Sequence, residues 1–356
     1  MDAALERILE AANNAPSGEN CQPWHFVVRG HTVELHLLPD RDQSAYSWGQ
    51  RASFLANGAA LENLVVAASS EGFHAEISYF PDSNNEWHVA NVALVKSTSL
   101  QPDPLAPFLS KRVTNRKPFS VESLSKKEKA MLDSAAETSG YGNLSLIEER
   151  KCIDRLGRVG STNEEIMLAN RSLHDFFFSH VNWTKEEDVE KKIGFYIKTL
   201  ELPLPAEAMF KIIRRWSIMR AMASLGFNKL VAKQNAATNA SASGIGGLSL
   251  ESTTPLDFVK LGRTVERVWL TATLLGLSFQ PLTGVLFFKL LIDNKQGTKF
   301  FSQQEQVKIN AAYSVAAETF GSPNQHIAFM FRIGKGDAPS AQAVRFPLRD
   351  TVTVVS

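Results

Sequence analysis

The chain has 356 residues, of which 44% are hydrophobic, and its 38 lysines and arginines nearly balance its 37 aspartates and glutamates, giving a formal net charge of +1. This balance excludes a global field that would attract nucleic acid or an anionic membrane, and the length suits two domains or one duplicated domain. The two cysteines form no metal-ligand spacing or disulfide framework, and the sequence shows neither a leader pattern nor a run of the ~20 apolar residues that span a membrane, so we expect a cytoplasmic globular protein.

A turn-rich loop lies between the first predicted helix, from about Ala3 to Ala12, and the first predicted strand, Phe26 to Val28. The loop reads Ala-Pro-Ser-Gly-Glu-Asn-Cys-Gln-Pro-Trp, so a proline fixes φ, a glycine permits unusual backbone and short polar side chains crowd together. A loop held at both ends by regular structure is typical of a site that grips a flat polar ligand. The same residues would also suit a plain connector.

Strands and one long helix are predicted to complete the first unit. We predict a hairpin over residues 26–38, a helix with one buried apolar face over residues 51–70, and strands over residues 75–80 and 87–95. Three prolines in residues 101–107 exclude a continuing helix or an interior strand. We therefore expect a first half over residues 1–100, a linker over residues 101–110 and a second half over residues 111–356.

The second half is predicted to contain a helical insertion. Ser125 carries a capping signal for a helix that runs to about Glu137. The period of apolar residues predicts further helices in an insertion over about residues 164–240, broken at residues 202–205. The remaining elements predicted in this half are strands over residues 144–147, 245–250 and 326–333 and a helix over residues 255–277.

Two segments of the chain resemble each other. Residues 58–73 align without gaps on residues 262–277, with glycine, glutamate, alanine and glycine coinciding, and residues 87–90 resemble residues 325–328 in the same order. Two matches in one order favour duplication. Chance similarity of two amphipathic helices is the alternative.

A basic stretch, Lys-Arg-Val-Thr-Asn-Arg-Lys-Pro-Phe, follows the linker. Arg112 and Arg116 are four residues apart with the Thr114 hydroxyl between them, a pattern that can converge on a phosphate through charge-assisted hydrogen bonds. A solvated basic patch is the alternative interpretation.

The loop and the basic stretch together resemble the nitroreductase family of FMN enzymes. The loop, Pro-Ser-x-x-Asn-x-Gln-Pro-Trp-x-Phe, is similar to the family's flavin-facing loop, and Arg-x-Thr-Asn-Arg is similar to the variant found in single-chain tandem proteins related to the mycobacterial dormancy protein Acg. The resemblance covers residues 1–118 and 245–350 but little of the chain between them. It implies an α+β fold and, in the family, a homodimer with each FMN at the subunit interface.

In this chain the order of the two motifs is reversed, with the loop in the first half and the arginine motif in the second. The resemblance therefore implies two fused halves that form an internal pseudo-dimer and a monomer with one FMN per chain. A second flavin site would fall at residues 139–144, where the motif is eroded, and we expect that site to be empty.

The resemblance also implies which residues would hold the FMN. The loop and the arginine motif would bind it from two sides, the backbone after a long helix would face flavin N5, and a C-terminal arginine would meet the phosphate. These residues are Pro16, Ser17, Gly18, Asn20, Arg112, Thr114, Arg116, Pro281, Leu282, Thr283, Gly284 and Arg345. Thr114 stands where the family usually has serine.

The function implied is hydride transfer from NAD(P)H through flavin N5 to a small planar acceptor such as a nitroaromatic or a quinone. No catalytic side chain is expected, because the flavin performs the hydride chemistry. No metal site is expected either, since the eight histidines show no ligand spacing. A flavin-sequestering protein with little turnover and an interaction module without flavin are the alternatives.

The part of the insertion over residues 205–234 is both basic and apolar. Such helices can lie on a membrane surface, but more often they pack on their own protein. In a fused nitroreductase the insertion would act as a lid over the flavin.

Overall fold

The protein, described here over residues 2–355 by a computed structural model, combines helices with a mixed five-stranded sheet and an antiparallel four-stranded sheet, which confirms the α+β class. The helices of this part of the chain are α1 (Ala3–Asn13), α2 (Arg51–Ser70), α3 (Lys126–Ser139), α4 (Arg150–Ala169), α5 (Arg171–Ser179), α6 (Lys185–Lys191), α7 (Leu204–Ile213), α8 (Trp216–Ser224), α9 (Phe227–Ala240), α10 (Pro255–Leu274), α11 (Gly284–Asp293), α12 (Gln303–Thr319) and α13 (Leu348–Thr351).

The strands form a five-stranded sheet in the order β11-β1-β2-β4-β3, a four-stranded sheet in the order β5-β8-β10-β9, and a short parallel pair of β6 and β7. Their bounds are β1 (Trp24–Arg29), β2 (Thr32–Leu37), β3 (Phe73–Tyr79), β4 (His88–Lys96), β5 (Asn143–Ile147), β6 (Val181–Asn182), β7 (Phe195–Tyr196), β8 (Gly244–Leu250), β9 (Ser278–Pro281), β10 (His326–Gly334) and β11 (Val352–Val355).

The five-stranded sheet buries one face and leaves the other partly open. The predicted hairpin is confirmed, with β1 and β2 antiparallel, and their side chains alternate between buried and half-buried positions. Trp24, Phe26 and Leu35 point into the core. The C-terminal strand β11 pairs in parallel with β1, so residues 352–355 lie in the same sheet as the first strand.

The long helices α2 and α10 pack against each other at the centre of the molecule. The predicted bounds of α2 are confirmed, but the expectation of one buried face is wrong, since α2 is buried on nearly all sides. The reason is that α1 and the five-stranded sheet cover one side while α10 covers another. The helix predicted over residues 255–277 ends at Leu274, three residues early, and Gly276 follows with φ +69°.

The insertion is helical, as predicted, but its helices begin earlier, with α4 starting at Arg150. Helix α4 packs along α9, and the short strands β6 and β7 interrupt the helices. Helices α11 and α12 are not among the predicted elements. Within residues 2–355, no helix is both long enough and apolar enough to cross a bilayer, and Cys21 and Cys152 are both free.

Candidate functional site

The loop after α1 has an unusual backbone. Glu19, Asn20 and Gln22 all have φ between +45° and +54°, the left-handed region that non-glycine residues seldom adopt. The Gln22 N–H donates to Ser17 Oγ at 2.9 Å, and Trp24 Nε1 donates to Asn13 Oδ1 at 3.0 Å. Backbone strain of this kind persists only where the surroundings fix it, and it is frequent at ligand sites.

The arginine motif is fixed to β9 and to the segment that follows β10. Thr114 forms an isolated parallel bridge with Phe279, and the Asn115 N–H donates to the Phe279 carbonyl at 3.0 Å. Asn115 is 2% exposed, and its amide donates to Ser278 Oγ and to the Asp337 carbonyl. This anchoring directs Arg112 and Arg116, on either side, towards the loop.

Arg112 is the most deeply buried of the arginines at the site, with 7% exposure. Its Nε lies 3.0 Å from Glu266 Oε1 in an ion pair, its Nη2 donates to the Asn14 carbonyl at 3.0 Å, and its guanidinium lies 4.6 Å from the centroid of the Trp269 ring. Burial raises the pKa of Glu266 to about 7, against the opposing effect of Arg112. Within residues 2–355 neither oxygen of Glu266 accepts a hydrogen bond.

Arg345 reaches the site from the C-terminal segment. Its guanidinium donates to Asn20 Oδ1 and to the Ala15 carbonyl, the latter at 3.0 Å. Its Nε is buried and has no hydrogen-bond partner among the described residues. Burial, and next the neighbouring Arg112, lower the pKa of Arg345 to about 9. The charged form is thus under-compensated, a state that a bound anion would relieve.

Arg116 completes the set from the side of the insertion. Its Nη1 donates to the Thr199 carbonyl at 2.9 Å, and its guanidinium lies 5.6 Å from the centroid of the Phe195 ring. Burial lowers the pKa of Arg116 to about 10, while Glu201 and Glu164 act in the opposite direction. No ion-pair contact to a carboxylate is formed by Arg116 within residues 2–355.

The loop, the arginine motif and the C-terminal segment enclose one cleft of about 120 Å³. Seven of the predicted cofactor residues line it, namely Pro16, Ser17, Asn20, Arg112, Thr114, Arg116 and Arg345. Three guanidinium groups and the hydroxyl groups of Ser17 and Thr114 around a small cleft suit a phosphate, which Arg binds through charge-assisted hydrogen bonds.

Part of the cleft wall was not predicted from the sequence. Gly194, Phe195 and Thr199 of the insertion line the cleft, as do residues 341–343. Glu266, paired with Arg112 behind the wall, was also missed. The coincidence of Glu266 with Glu62 in the internal repeat was the signal that could have pointed to it, because a charged residue in an otherwise apolar helix face requires a buried partner.

The other predicted cofactor residues do not line the cleft. Gly18 is exposed beside it, and Pro281 ends strand β9. The Leu282 N–H donates to the Met330 carbonyl at 2.7 Å, so the expectation that this amide is free for a flavin is wrong: it is used in the sheet. Thr283 precedes α11, and a Cβ on Gly284 would lie 2.3 Å from Asn163 Oδ1 of the insertion.

The insertion is fastened directly to the loop. The Gly194 N–H donates to the Glu19 carbonyl at 2.7 Å, and the Lys192 carbonyl accepts from both Asn20 Nδ2 at 2.9 Å and Gln22 Nε2 at 2.7 Å. We call these three hydrogen bonds, between residues 192–194 and residues 19–22, the clasp. The polar side chains of Asn20 and Gln22 are therefore used to close the cleft wall.

The place related to this cleft by the internal repeat has a different charge balance. Glu62, the counterpart of Glu266, bonds Arg263 at 2.8 Å and Arg267 at 2.6 Å, and Arg267 also bonds Asp103 at 2.8 Å. Two guanidiniums thus pair with two carboxylates, whereas at the cleft Arg112 alone of the three arginines pairs with a carboxylate among the described residues. Of these two places, the cleft is the one with positive charge left for an anion.

Comparisons with known proteins found one matching family model and several similar proteins. The family model described as "Nitroreductase family" matches residues 2–48. An uncharacterized protein of Mycobacterium tuberculosis is 24% identical over 80% of this chain and 39% of its own length. A protein of the same organism named as a candidate NAD(P)H nitroreductase, acg, is 34% identical over 25% of this chain and 27% of its own length.

Among solved structures, that of a candidate nitroreductase from Anabaena variabilis is 11% identical, with a TM-score of 0.45, and the match covers 94% of this chain and 88% of that one. The chain spans less than half the length of each of the two curated relatives.

Proposed function

We propose that the protein is an FMN-dependent oxidoreductase of the nitroreductase family, whose model matches residues 2–48, and that the cleft binds the phosphate of one FMN. The observation that carries the proposal is the cluster of Arg112, Arg116 and Arg345 around one cleft, with Arg345 Nε buried and unpartnered among the described residues. FMN ends in a single phosphate group, and three guanidiniums around one cleft can bind such a group through charge-assisted hydrogen bonds.

The residues of the cleft fit that phosphate by charge and by donor number. The three guanidiniums supply donors from the second half and the C-terminal segment, and Ser17 and Thr114 add hydroxyl groups from opposite walls. Glu266 holds Arg112 in place from behind without reaching across the cleft. These residues bind and orient; no general acid or base is required of them, because hydride acceptance and donation are the chemistry that bound FMN supplies.

The electron donor in this proposal is NAD(P)H, and the acceptor is a small planar molecule such as a nitroaromatic or a quinone. The name of the relative acg supports the choice of donor. No residue of this chain is assigned to either molecule, since residues 281–284 do not line the cleft and the insertion residues that do, Gly194, Phe195 and Thr199, are assigned to its wall.

A second candidate function is flavin sequestration with little turnover, and one observation favours it. The clasp joins the insertion to the loop through three hydrogen bonds. An insertion that stays fastened in this way would act as a closed lid and keep nicotinamide from the flavin.

We also propose that residues 1–100 and 111–356, joined by the linker 101–110, act as two halves of an internal pseudo-dimer in a monomeric protein. The packing of α2 against α10 and the coincidence of their sequences support this arrangement. Strand β11 then crosses from the second half into the sheet of the first.

Titration of the flavin-free protein with FMN and with riboflavin, followed by quenching of flavin fluorescence, tests the phosphate assignment. We expect FMN to bind at least ~100-fold more tightly, because riboflavin lacks the phosphate and forfeits several charge-assisted hydrogen bonds. Equal affinities would overturn the assignment.

Anaerobic mixing of the FMN complex with NADH or NADPH then separates the two functions. Loss of the oxidised flavin absorbance within seconds supports the oxidoreductase, and persistence of the absorbance supports sequestration. Protein that binds neither flavin would exclude both.

A further inference from the structure

The outer face of the five-stranded sheet carries a row of histidines that the cleft does not use. Strands β1, β2 and β4 are neighbours, and their register places His25 opposite His36 and His36 opposite His88. Glu34 lies two residues before His36 on the same face of β2. None of these residues lines the cleft.

We propose that Glu34, His36 and His88 form a binding site for a divalent transition-metal ion of the zinc type. One ligand atom from each residue lies within 4.8 Å of the other two. The two imidazoles and one carboxylate are ligands that Zn²⁺ takes in sites with three protein ligands, where the fourth position is left to water.

The distance between the first two ligands already suits a bound ion. His36 Nε2 lies 3.2 Å from Glu34 Oε2. Ligand bonds of about 2.0–2.1 Å in a tetrahedral arrangement separate neighbouring ligand atoms by roughly 3.3–3.4 Å. The spacing of two residues along a strand thus provides one edge of the coordination tetrahedron without moving the backbone.

The third ligand comes from the neighbouring strand and is oriented by a hydrogen bond. The His36 and His88 rings stack with centroids 4.3 Å apart, and His88 Nε2 lies 2.7 Å from Asn91 Oδ1. If Nε2 of His88 carries the proton donated to Asn91, then Nδ1 carries the free electron pair for a metal. In most metal sites, a histidine that binds the ion through one ring nitrogen donates a hydrogen bond from the other ring nitrogen to an oxygen atom, which fixes the orientation of the ring.

The burial of the ligands also suits a site for an ion. The side chains of Glu34 and His36 are 18% and 23% exposed, so an ion would be partly shielded from solvent and still reachable from it. A metal bound here would join β2 to β4 in the middle of the sheet. The cluster could not be predicted from the sequence, because His88 lies 52 positions after His36 and the two meet only through the pairing of β2 with β4.

Titration of the chelator-treated full chain with Co²⁺, followed by its visible ligand-field absorption, and with Zn²⁺ by calorimetry tests the site. We expect saturable binding of one ion per chain. His36→Ala and His88→Ala should each lower the metal affinity by at least ~100-fold. Each variant removes a ligand, and the loss of a residue that only supports a ligand already lowers metal affinity by about 10- to 100-fold.

The control is His25→Ala, which removes the neighbouring imidazole of the row but no ligand, since His25 Nε2 faces Thr353 Oγ1 at 2.9 Å. This variant should bind one ion as the unaltered chain does. Far-ultraviolet circular dichroism confirms that each variant is folded, and Glu34→Gln, a nearly isosteric change, repeats the test should an alanine variant unfold. Absence of stoichiometric binding, or equal binding by all variants, would overturn the proposal.

Discussion

Gly58 of α2 and Gly262 of α10 lie against each other's helix backbone in the same way. A Cβ on Gly58 would come within 2.0 Å of the Val259 carbonyl oxygen, and a Cβ on Gly262 within 2.0 Å of the Leu55 carbonyl oxygen. The two glycines coincide in the internal repeat, and so do Leu55 and Val259 when the alignment is extended three residues upstream. The contact is thus reciprocal, as expected at the axis of a twofold pseudo-symmetric pair.

Replacing Gly262 by alanine should destabilise the protein strongly. The added methyl group meets a backbone oxygen that cannot move aside without separating α2 from α10, and we expect a loss of about 3 kcal/mol in the free energy of unfolding. Chemical denaturation of Gly262→Ala measures it. Gly18→Ala is the matched control, since a Cβ there meets no atom within 4 Å. Similar stability of the two variants would show that the helices do not cross at Gly262.

Arg116→Ala should weaken FMN binding by about 10- to 100-fold, the value of one hydrogen bond between charged groups. The fluorescence titration described above measures this change. Asn143→Ala is the control, because Asn143 is an exposed residue of β5 in the region where a second flavin site would lie. If both variants lost affinity equally, the assignment of a single site at the cleft would fail.

FMN affinity should fall as the pH rises through 7, because of Glu266. Burial raises the pKa of Glu266 to about 7, so below that pH the carboxyl is neutral and the three guanidiniums keep their full attraction for the phosphate. Above it, the carboxylate offsets Arg112 and repels the phosphate. Binding an anion and ionising Glu266 therefore oppose each other.

Glu266→Gln stays neutral at every pH, so in this variant the fall in FMN affinity should disappear. At pH 8, one unit above the pKa of Glu266, the variant should bind FMN about tenfold more tightly than the unaltered protein, since one pKa unit corresponds to a tenfold change in the protonation equilibrium. Comparing variant and unaltered protein at each pH cancels the titration of the phosphate itself. Glu62→Gln, the counterpart in the repeat, should leave the pH profile of binding as it is. A parallel profile for Glu266→Gln and the unaltered protein would contradict this role.

Opening the clasp should release the cofactor faster. Gly194 has φ +95°, and a Cβ there would lie 2.2 Å from the His180 carbonyl oxygen, so Gly194→Ala should displace the backbone that bonds Glu19. We expect FMN to dissociate at least ~10-fold faster, because the clash displaces residues 192–194 and breaks the hydrogen bonds of the clasp, which contribute about 0.5–1.5 kcal/mol each.

Dilution of the FMN complex and recovery of flavin fluorescence measure that rate. Gly276→Ala is the control, since Gly276 has φ +69° but open space around it and lies away from the clasp. It carries the same backbone strain without the contact. Unchanged dissociation from Gly194→Ala would mean that the insertion does not close the cleft.

Local patterns predicted most of the regular structure. The bounds of α2 and the capping box of Ser125 follow from periodicity and capping chemistry, and both are confirmed. The burial of α2 on nearly all sides was not predictable from its period, because it depends on α10, which lies about two hundred residues further along the chain.

The site residues that belong to recognisable motifs were predicted, whereas those that reach the site only through tertiary packing were missed. Motif resemblance led to Ser17, Arg112 and Arg345, which line one cleft. It could not show that the Leu282 amide is used in a strand pair or that Gly194 supplies part of the wall. Those two facts depend on how β10 and the insertion pack, and neither leaves a local pattern.

The flavin content of the purified and reconstituted protein tests the central claim most directly. Saturation with FMN, removal of unbound flavin and absorbance of the released flavin against protein concentration give the molar ratio. The two halves, with one charged cleft and one neutralised counterpart, predict one FMN per chain, and Arg112→Ala together with Arg345→Ala should lower the ratio towards zero. A ratio near two, or a ratio of one that survives both substitutions, would contradict it.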